Sequence, residues 1–297
     1  MNRALLVLIG TAALGCSGGG GWDAGSSLDA GFFEPDAGPR AAYTRPPTTA
    51  VHWDWQIGAA TEADIGVPTG VNLLDVDGFL ASAASVASWR ARGIYTVCYI
   101  NAGSWQPGLP DAGDYPDVLK LQADPNWPGE YFLDVTDVFR PGSVLAAILG
   151  KRLDMCKAKG FDALEPDNLQ NDENVKSGKI TMQAQLDFNG WLADLAHAKG
   201  LAVFQKNGPD KILRATTTGT TMVDTFDGIL DEQCQQFGEC DALGEFSKRG
   251  KLALDVEYDK SLTLDCSSFS ARGIVALKKD LLLAGMTSGA YVRQTCD

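Results

Sequence analysis

Short β-rich runs recur along most of the chain, and their spacing constrains the fold more than any other feature. Most of the runs lie 20 to 40 residues apart, and helical patterns separate several of them. This alternation predicts repeated βα units and a parallel sheet. The runs are VHWDWQI (51–57), VNLLDVD (71–77), IYTVCYI (94–100), FDALEPD (161–167), LAVFQKN (201–207), FDGILDE (226–232), LALDVEY (252–258) and SGAYVRQ (288–294).

Eight such strands within about 250 residues have the size and count of a (β/α)8 barrel of the TIM type. A doubly wound sheet is the alternative, but the sequence lacks the GxGxxG turn typical of that fold. A ninth candidate strand, at 131–137, indicates an insertion between the third and fourth strands. Residues 58–70, between the first two strands, are too short and too rich in glycine and proline for a full helix.

Glycine residues mark the points where predicted helices end and strands begin. A glycine there supplies the left-handed conformation that ends a helix, and a preceding Lys or Arg suits the negative end of the helix dipole. One helix is predicted to begin after the N-cap Thr181 and to end at Gly200. The five junctions are Arg92-Gly93, Lys159-Gly160, Lys199-Gly200, Arg249-Gly250 and Ala284-Gly285.

The N-terminal residues predict export. Residues 1–15 contain Arg3 and then a short apolar run, which is typical of a signal peptide, and Cys16 at its end resembles the lipid attachment site of a bacterial lipoprotein. Because the order Ala13-Leu14-Gly15 departs from the usual one, plain secretion is the alternative. Residues 16–47 contain three copies of Asp-Ala-Gly and no apolar period, so they predict a flexible tether before a domain at 48–297.

The cysteine count agrees with export. Seven cysteines less Cys16 leave an even number, compatible with disulfides in an oxidising compartment. Cys234 and Cys240 bracket a short loop and are the natural local bridge. The spacing does not fix the other pairs, although Cys98 with Cys156 and Cys266 with Cys296 are preferred once that bridge is made. Neither zinc-ligand spacing nor a Cys/His catalytic signature is present in the sequence.

The charge of the chain limits its partners. The formal net charge is -13 and the pI about 4.6, so we expect no nucleic-acid binding. An acidic surface favours a cationic or neutral partner, although acidity also serves solubility alone. We expect a monomer, with membrane contact only through a lipid on Cys16.

Acidic side chains cluster at the predicted carboxyl ends of the strands, where barrel enzymes place their chemistry. A single acid at such a junction is commonly a loop cap or a solvated group. Several on successive strands would repel one another, which favours a functional cluster. The strand ends carry Asp54 and Gln56, Asp75 and Asp77, Tyr99 and Asn101, Glu165, Asp167 and Asn168, Lys206 and Asn207, Asp231, Glu232 and Gln233, and Glu257 and Tyr258.

The residue types limit the classes of reaction that the chain could catalyse. Nucleophilic triads need a histidine and metal hydrolysis usually needs a set of histidine or cysteine ligands, whereas His52 and His197 are the two histidines of the chain. A pair of carboxyl groups remains, and glycoside hydrolysis uses such a pair, one to attack or activate water and one to protonate the leaving oxygen. We therefore expect neither a metal nor a cofactor.

An ordered set of segments resembles glycoside hydrolase family 114, the endo-α-1,4-polygalactosaminidase-like proteins with a (β/α)8 barrel. The segments are CYINAGS (98–104), WPGEYFLD (127–134), KGFDALEPDN (159–168), AHAKGLAVFQKN (196–207), DEQC with EC (231–240) and VEY (256–258). The resemblance covers about residues 51–294. It implies that Asp167 and Glu232 are the catalytic pair and that a cationic galactosamine-containing polysaccharide is cleaved internally.

The resemblance and the strand-end chemistry together suggest a retaining mechanism. Asp167 is expected to be the nucleophile, favoured in its charged form by Lys206 and Asn168, and Glu232 the acid/base with a raised pKa. Glu257 is the alternative proton donor. Glu165 is expected to point into the barrel or to pair with Lys206.

Further polar residues at the same rim are expected to bind substrate, and aromatic residues offer stacking faces for sugar rings. Two other functions stay open, a non-catalytic carbohydrate-binding surface lipoprotein and a structural surface protein. The expected substrate-binding residues are Asp54, Asp77, Tyr99, Asn168, Lys206, Asn207, Glu257 and Tyr258, and the expected stacking residues are Trp53, Trp55, Tyr99, Trp105 and Tyr258.

Overall fold

The computed structural model describes residues 41–296, and within them the chain forms twelve strands and eight α-helices. The strands are β1 (Trp53–Trp55), β2 (Leu73–Asp77), β3 (Tyr95–Asn101), β4 (Ser104–Trp105), β5 (Lys120–Ala123), β6 (Tyr131–Leu133), β7 (Ala163–Asp167), β8 (Ala202–Lys206), β9 (Gly228–Glu232), β10 (Leu252–Glu257), β11 (Ile274–Lys279) and β12 (Arg293–Thr295). The helices are α1 (Ala83–Ala91), α2 (Val144–Lys159), α3 (Asn171–Asn174), α4 (Met182–Ala198), α5 (Met222–Thr225), α6 (Cys234–Phe237), α7 (Cys240–Lys248) and α8 (Cys266–Arg272).

Nine of the strands form one curved sheet in the order β1-β2-β3-β7-β8-β9-β10-β11-β12. The first eight strands of this order are parallel, and β12 adds an antiparallel strand to β11. The sheet is nearly closed, which confirms the predicted barrel of the TIM type. As predicted, residues 58–70 form no full helix, only a single 3-10 turn at Glu62–Asp64.

Side chains rather than a backbone ladder close the barrel between β1 and the C-terminal strands in the part of the chain that the structure describes. The Trp53 ring donates a hydrogen bond to the Val275 carbonyl at 3.1 Å, and the Arg293 guanidinium donates one to the Trp53 carbonyl at 3.1 Å. Lys279 and Asp54, both buried, form an ion pair at 2.7 Å. This seam therefore depends on contacts between residues more than 220 positions apart.

The parallel strands are apolar on both faces because one face lines the barrel interior and the other packs on helices. The alternation fixes which polar residue at a strand end faces the interior. Inward-facing residues include Trp53, Leu73, Val97, Ala163, Phe204, Leu230 and Leu254, and outward-facing residues include Leu74, Cys98, Leu164, Val203, Ile229 and Ala253.

The predicted insertion between the third and fourth barrel strands is present. The predicted strand at 131–137 appears as β6, which pairs with β4 and β5 in a separate three-stranded antiparallel sheet. The Leu133 N–H donates to the Gly103 carbonyl at 2.9 Å and so ties this small sheet to the end of β3. The insertion therefore sits at the rim where β3 and β7 end.

The eighth strand of the barrel differs from the prediction. It is β11, which follows α8 and Gly273, whereas the predicted run at 288–294 leads into the short antiparallel β12. β11 ends in two consecutive lysines, Lys278 and Lys279, and both are buried. The other predicted glycine junctions, Gly93, Gly160, Gly200 and Gly250, are left-handed, but Gly285 has no helix before it and no positive φ.

The ordered domain begins before residue 48, the predicted boundary. The Tyr43 hydroxyl donates to Asp227 at 3.0 Å, its ring stacks on His197 at 4.9 Å, and the Tyr95 hydroxyl donates to the Thr44 carbonyl at 2.8 Å. Residues 41–47 are therefore docked on the barrel rather than part of a free tether. The predicted signal peptide and Cys16 lie outside the described residues.

Three disulfides join the expected pairs. Cys98–Cys156 connects β3 to α2, Cys234–Cys240 connects α6 to α7, and Cys266–Cys296 holds the end of the chain against α8. The predicted helix α4 starts after Thr181, whose side chain accepts the Ala184 N–H. Across residues 41–296, no helix combines the length and the apolar character that a membrane span requires.

Candidate active site

Three neighbouring strands carry the central polar side chains of the barrel mouth. Asp167 ends β7, Lys206 ends β8 and Glu232 ends β9, and the alternation of each strand turns these side chains inward. The residue after each of them is left-handed, with φ of 62° at Asn168, 53° at Asn207 and 69° at Gln233. Asparagine tolerates this conformation better than most residues, so the sequence allows the chain to turn sharply behind each functional side chain.

Lys206 connects the two predicted catalytic carboxylates. Its Nζ lies 2.7 Å from Oε2 of Glu232 and 3.2 Å from Oδ1 of Asp167. Since both oxygens contact one nitrogen, they are no more than about 6 Å apart, close to the separation of the carboxyl groups in retaining glycosidases. The Lys206 side chain is 2% exposed, whereas Asp167 is 23% and Glu232 27% exposed, so both acids can be reached from solvent.

Further donors orient Asp167. Its Oδ1 also accepts the backbone N–H of Asn168 at 2.8 Å, and its Oδ2 accepts the Tyr99 hydroxyl at 3.0 Å. The Asn168 side chain donates to Asn101 Oδ1 at 3.1 Å and thereby holds this turn against the end of β3. Asp167 is thus fixed from β3, β8 and its own strand.

Glu232 is held by an equally complete set of donors. Oε2 accepts the side-chain amide of Asn207 at 2.9 Å as well as Lys206, and Oε1 accepts the Tyr258 hydroxyl in a short hydrogen bond. The Glu232 N–H in turn donates to Asn207 Oδ1 at 3.0 Å. Tyr99, Asn168, Lys206, Asn207 and Tyr258, all expected to lie at the substrate site, are therefore brought together around the two acids.

The pKa of Glu232 is lowered, so the predicted raised pKa is wrong for this arrangement. Burial acts to raise the pKa of this carboxyl, but the charge of Lys206 and the hydrogen bonds from Asn207, Lys206 and Tyr258 outweigh burial. The pKa of Lys206 is raised: burial opposes its charge, but the charges of Asp167, Glu232 and Glu165 dominate. Lys206 and Glu232 therefore stabilise each other's charged forms.

Two further acids form the floor of this site. Glu165 lies one layer below Asp167, is fully buried, and its Oε1 is 3.9 Å from Lys206 Nζ. Its Oε2 accepts the Trp55 ring N–H at 2.9 Å, and its carboxyl lies close to that of Asp75 on β2. Glu165 therefore points into the barrel and also neighbours Lys206, as the sequence suggested.

Three of the expected substrate-binding residues, Asp54, Glu257 and Asp77, bind other parts of the barrel instead of the two central acids. Asp54 is buried and bound to Lys279 and Tyr291 at the seam, because it faces outward from β1. Glu257 also faces outward, is buried, and accepts the backbone N–H groups of Gln235 and Gln236 at the start of α6. Glu257 can therefore neither bind substrate nor replace Glu232 as proton donor.

The third, Asp77, faces the interior but acts as a loop cap. Its Oδ1 accepts the N–H groups of Phe79 and Leu80 at 2.7 and 3.1 Å. Of the expected stacking residues, Trp53 and Trp55 are fully buried in the barrel, whereas Tyr99, Trp105 and Tyr258 are half-buried. The buried tryptophans therefore serve as core and as a hydrogen-bond donor rather than as sugar platforms.

The insertion contributes acids that sequence reasoning did not single out. Glu130, just before β6, accepts the Gln106 side chain at 3.1 Å, and its pKa is raised by burial and then by the nearby charges of Asp124 and Asp167. The signal that could have found it is the segment WPGEYFLD, which contains Glu130 and was recognised only as part of a motif. The insertion therefore adds negative charge to the Asp167 side of the site.

One group of potential metal ligands comes together within the described residues, namely Cys234, Asp255 and Glu257. The sulfur of Cys234 is bonded to Cys240 and offers no thiolate. His197 pairs with Asp227 at 2.8 Å away from these acids. The chemistry that the mouth of the barrel supports is that of two accessible carboxylates, with oxygens no more than about 6 Å apart and a lysine between them.

Known proteins are similar to this chain in sequence pattern and in fold. Residues 34–297 match the sequence model of glycoside-hydrolase family GH114, whereas no curated protein matches in sequence. The crystal structure of Aspergillus fumigatus Ega3 in complex with galactosamine is similar, with a TM-score of 0.70, 24% identity and coverage of 84% of this chain and 98% of Ega3. The glycoside hydrolase domain of PelA from Pseudomonas aeruginosa has a TM-score of 0.58, 13% identity and coverage of 83% and 98%. Because the family match spans most of the chain, this protein belongs to glycoside-hydrolase family GH114 and is a glycoside hydrolase.

Proposed function

We propose that this protein is an endo-acting hydrolase of α-1,4-linked galactosamine-containing polysaccharide that uses a retaining, two-carboxylate mechanism. The observation that carries the proposal is the pair Asp167 and Glu232, both accessible and both in contact with Lys206. The similar Ega3 was crystallised with galactosamine, which supports the substrate class. The net charge of -13 and the additional acid Glu130 favour a cationic polymer.

In the first step, an oxygen of Asp167 attacks the anomeric carbon and forms a covalent glycosyl ester. Glu232 transfers its proton to the glycosidic oxygen, which leaves as a hydroxyl on the departing chain. In the second step, Glu232 takes a proton from water, the water oxygen bonds to the anomeric carbon, and the ester bond to Asp167 breaks. The enzyme returns to its starting state, and the sugar keeps its configuration.

The surrounding donors have separate roles in this cycle. Tyr99 and the Asn168 N–H hold Asp167 in place for attack, at 3.0 and 2.8 Å. Asn207 and Tyr258 orient Glu232. Lys206 stabilises the negative charge of Asp167 before the attack. It contacts both carboxylates again once the ester has been hydrolysed.

The lowered pKa of Glu232 predicts how the rate of the reaction depends on pH. Glu232 must carry a proton in the first step, and in the free enzyme that proton is lost as pH rises through a pKa below the ordinary glutamate value. The alkaline limb of kcat/KM, which reports the free enzyme, therefore lies at acidic pH. This expectation depends on Glu232 as the acid.

The proposal includes export, with a lipid on Cys16 as the means of attachment to the envelope and a monomeric chain. Three disulfides in the barrel support an oxidising compartment. Incorporation of labelled fatty acid into the wild-type protein, and its loss in Cys16→Ser, tests the anchor. Secretion of the wild-type protein without the label would support export and contradict the lipid anchor.

The decisive experiment incubates the purified enzyme with deacetylated and with acetylated α-1,4-galactosamine polymer and measures products by mass spectrometry. We expect internal cleavage of the deacetylated polymer, with the first product in the α configuration by NMR. Asp167→Asn should lower kcat by at least about 10³-fold while polymer binding persists. Saturable binding without any cleavage by the wild-type enzyme would instead identify a carbohydrate-binding protein, and a β first product would exclude retention.

A further inference from the structure

A pair of buried carboxyl groups lies directly beneath the site and has no part in the two-step mechanism. Glu165 on β7 and Asp75 on β2 both face the barrel interior and are 0% and 1% exposed. They come from alternate strands of the barrel, which contribute side chains to the same interior layer. The role inferred for this pair rests on the proposed roles of Asp167 and Glu232.

The pair leaves two buried oxygen atoms that a proton would satisfy. Oε2 of Glu165 accepts the Trp55 ring N–H at 2.9 Å. Oε1 of Glu165 and Oδ1 of Asp75 are buried and have no hydrogen-bond partner in residues 41–296, although the two carboxyls are close enough to interact. Two carboxylates cannot hydrogen bond to each other, whereas a proton on one of the groups would satisfy both oxygens.

The position of Lys206 identifies which group carries the proton. Its Nζ lies 2.7 and 3.2 Å from the oxygens of Glu232 and Asp167 but 3.9 Å from Glu165, although Glu165 is the most buried of the three acids. An ionised carboxylate at that depth would attract the ammonium more strongly than the two partly solvated ones. The longer distance therefore fits a neutral Glu165.

The charged groups around Glu165 and Asp75 also favour a neutral Glu165. The titratable groups that face the pair are Lys206 from β8, Asp167 from β7, Glu232 from β9, Tyr99 from β3 and Tyr258 beyond β10. Burial, followed by the charge of Asp75, raises the pKa of Glu165 well above its ordinary value, and Lys206 only partly opposes this. Burial also raises the pKa of Asp75, to about 7.

We propose that the proton on Glu165, held by Asp75 and oriented by Trp55, positions Lys206 so that it bridges Asp167 and Glu232. Were Glu165 to ionise, the ammonium would move down toward it and leave the two catalytic acids facing each other without a cation. Glu165 and Asp75 are thus positioning residues that act through Lys206.

Two near-isosteric variants separate this role from mere packing. Glu165→Gln keeps a neutral group that can donate to Asp75 and accept from Trp55, so we expect kcat/KM within about threefold of wild type. Asp75→Asn removes the charge and the acceptor that raise the pKa of Glu165. Glu165 therefore ionises at lower pH in that variant, and its activity should fall as pH rises.

The readout is the ratio of kcat/KM between Asp75→Asn and Glu165→Gln across pH, because ionisation of Glu232 affects both variants and cancels. We expect the ratio to fall by about tenfold between about pH 5 and about pH 8. The double variant, which has no ionisable group in the pair, should regain the pH dependence of Glu165→Gln. A purely structural role predicts a flat ratio and no such rescue.

The matched control is Asp255→Asn. Asp255 and Glu257 are also buried and close to each other, but they face outward, so this variant should leave the pH dependence unchanged. A flat ratio, or loss of activity in Glu165→Gln at unchanged Tm, overturns the proposal.

Infrared spectroscopy tests the proton without substrate. Other buried acids, such as Asp231 and Asp255, also have a raised pKa, so the readout is the difference between the spectra of wild type and Glu165→Gln at neutral pH. The carbonyl stretch of one protonated carboxyl should be present in wild type and missing from the variant. Absence of any such band in wild type, or of this difference in the folded variant, overturns the proposal. If wild type does not cleave the polymer, the proposed function fails while this measurement still decides the state of Glu165.

Discussion

Lys206 and Lys279 are buried lysines that form the last residues of two parallel strands, and they differ in their partners. Lys206 on β8 contacts Asp167, Glu232 and Glu165, whereas Lys279 on β11 forms its ion pair with Asp54. Burial opposes the charge of both. Three acids outweigh burial and raise the pKa of Lys206, but at Lys279 burial prevails over Asp54 and the pKa is lowered.

The comparison teaches that depth alone does not decide what a buried lysine does. A tyrosine completes each cluster, since Tyr258 donates to Glu232 and Tyr291 donates to Asp54 at 2.6 Å. The first cluster opens to solvent through its two acids, whereas Lys279 and Asp54 are both 0% exposed. The first cluster is therefore the one for which we propose catalysis, and the second closes the barrel seam.

The largest expected effect comes from Lys206→Met. Without the cation, Asp167 and Glu232 repel each other, and we expect kcat to fall by about 10²- to 10³-fold. Because Lys206 lowers the pKa of Glu232, its removal raises that pKa, so protonated Glu232 persists to higher pH. The alkaline limb of the residual kcat/KM should move upward, and a limb that moves downward would refute Glu232 as the acid.

Lys279→Met should act on stability instead. It leaves Asp54 buried without its cation, for which we expect a loss of about 3 kcal/mol in the free energy of unfolding. The kcat of the folded protein should stay within about twofold of wild type. Denaturant unfolding and activity below the Tm measure the two quantities, and Lys279→Met with Asp54→Asn should recover part of the loss.

The tyrosines give the smallest contrast. Tyr258→Phe removes one donor from Glu232 and should lower kcat by about tenfold with little change in Tm. Tyr291→Phe removes a donor from Asp54 and should cost about 1 kcal/mol of stability with unchanged kcat. An exchange of these two effects would break the distinction between the clusters.

The catalytic half of this comparison could be anticipated from sequence. Parallel strands of a barrel place their carboxyl ends at one mouth, so Asp167, Lys206 and Glu232 had to be neighbours once their strands were recognised. The seam could not be anticipated. Lys279 lies in β11, which was not among the predicted strands. Its partner, Asp54, is 225 residues away in the sequence.

The substrate-binding residues were harder to predict, because a shift of one residue along a strand decides whether a side chain faces the barrel interior or the outside. Asp54 lies one residue before the end of β1 and Glu257 ends β10, but both alternate to the outer face. A shift of one residue exchanges interior for exterior, and the sequence pattern of a strand that is apolar on both faces does not fix which side chains point inward. The same limit hid the position of Asp75 beside Glu165.

The sequence by itself determined the barrel type, the insertion, the disulfide-bonded cysteines and the identity of the central acids, because strand periodicity, helix ends and motif order are local properties. Tertiary structure alone decided the charge states. The distance of 2.7 Å from Lys206 to Glu232 lowers a pKa that burial would raise. Electrostatic interaction depends on separation and surroundings in three dimensions, which the order of residues does not record.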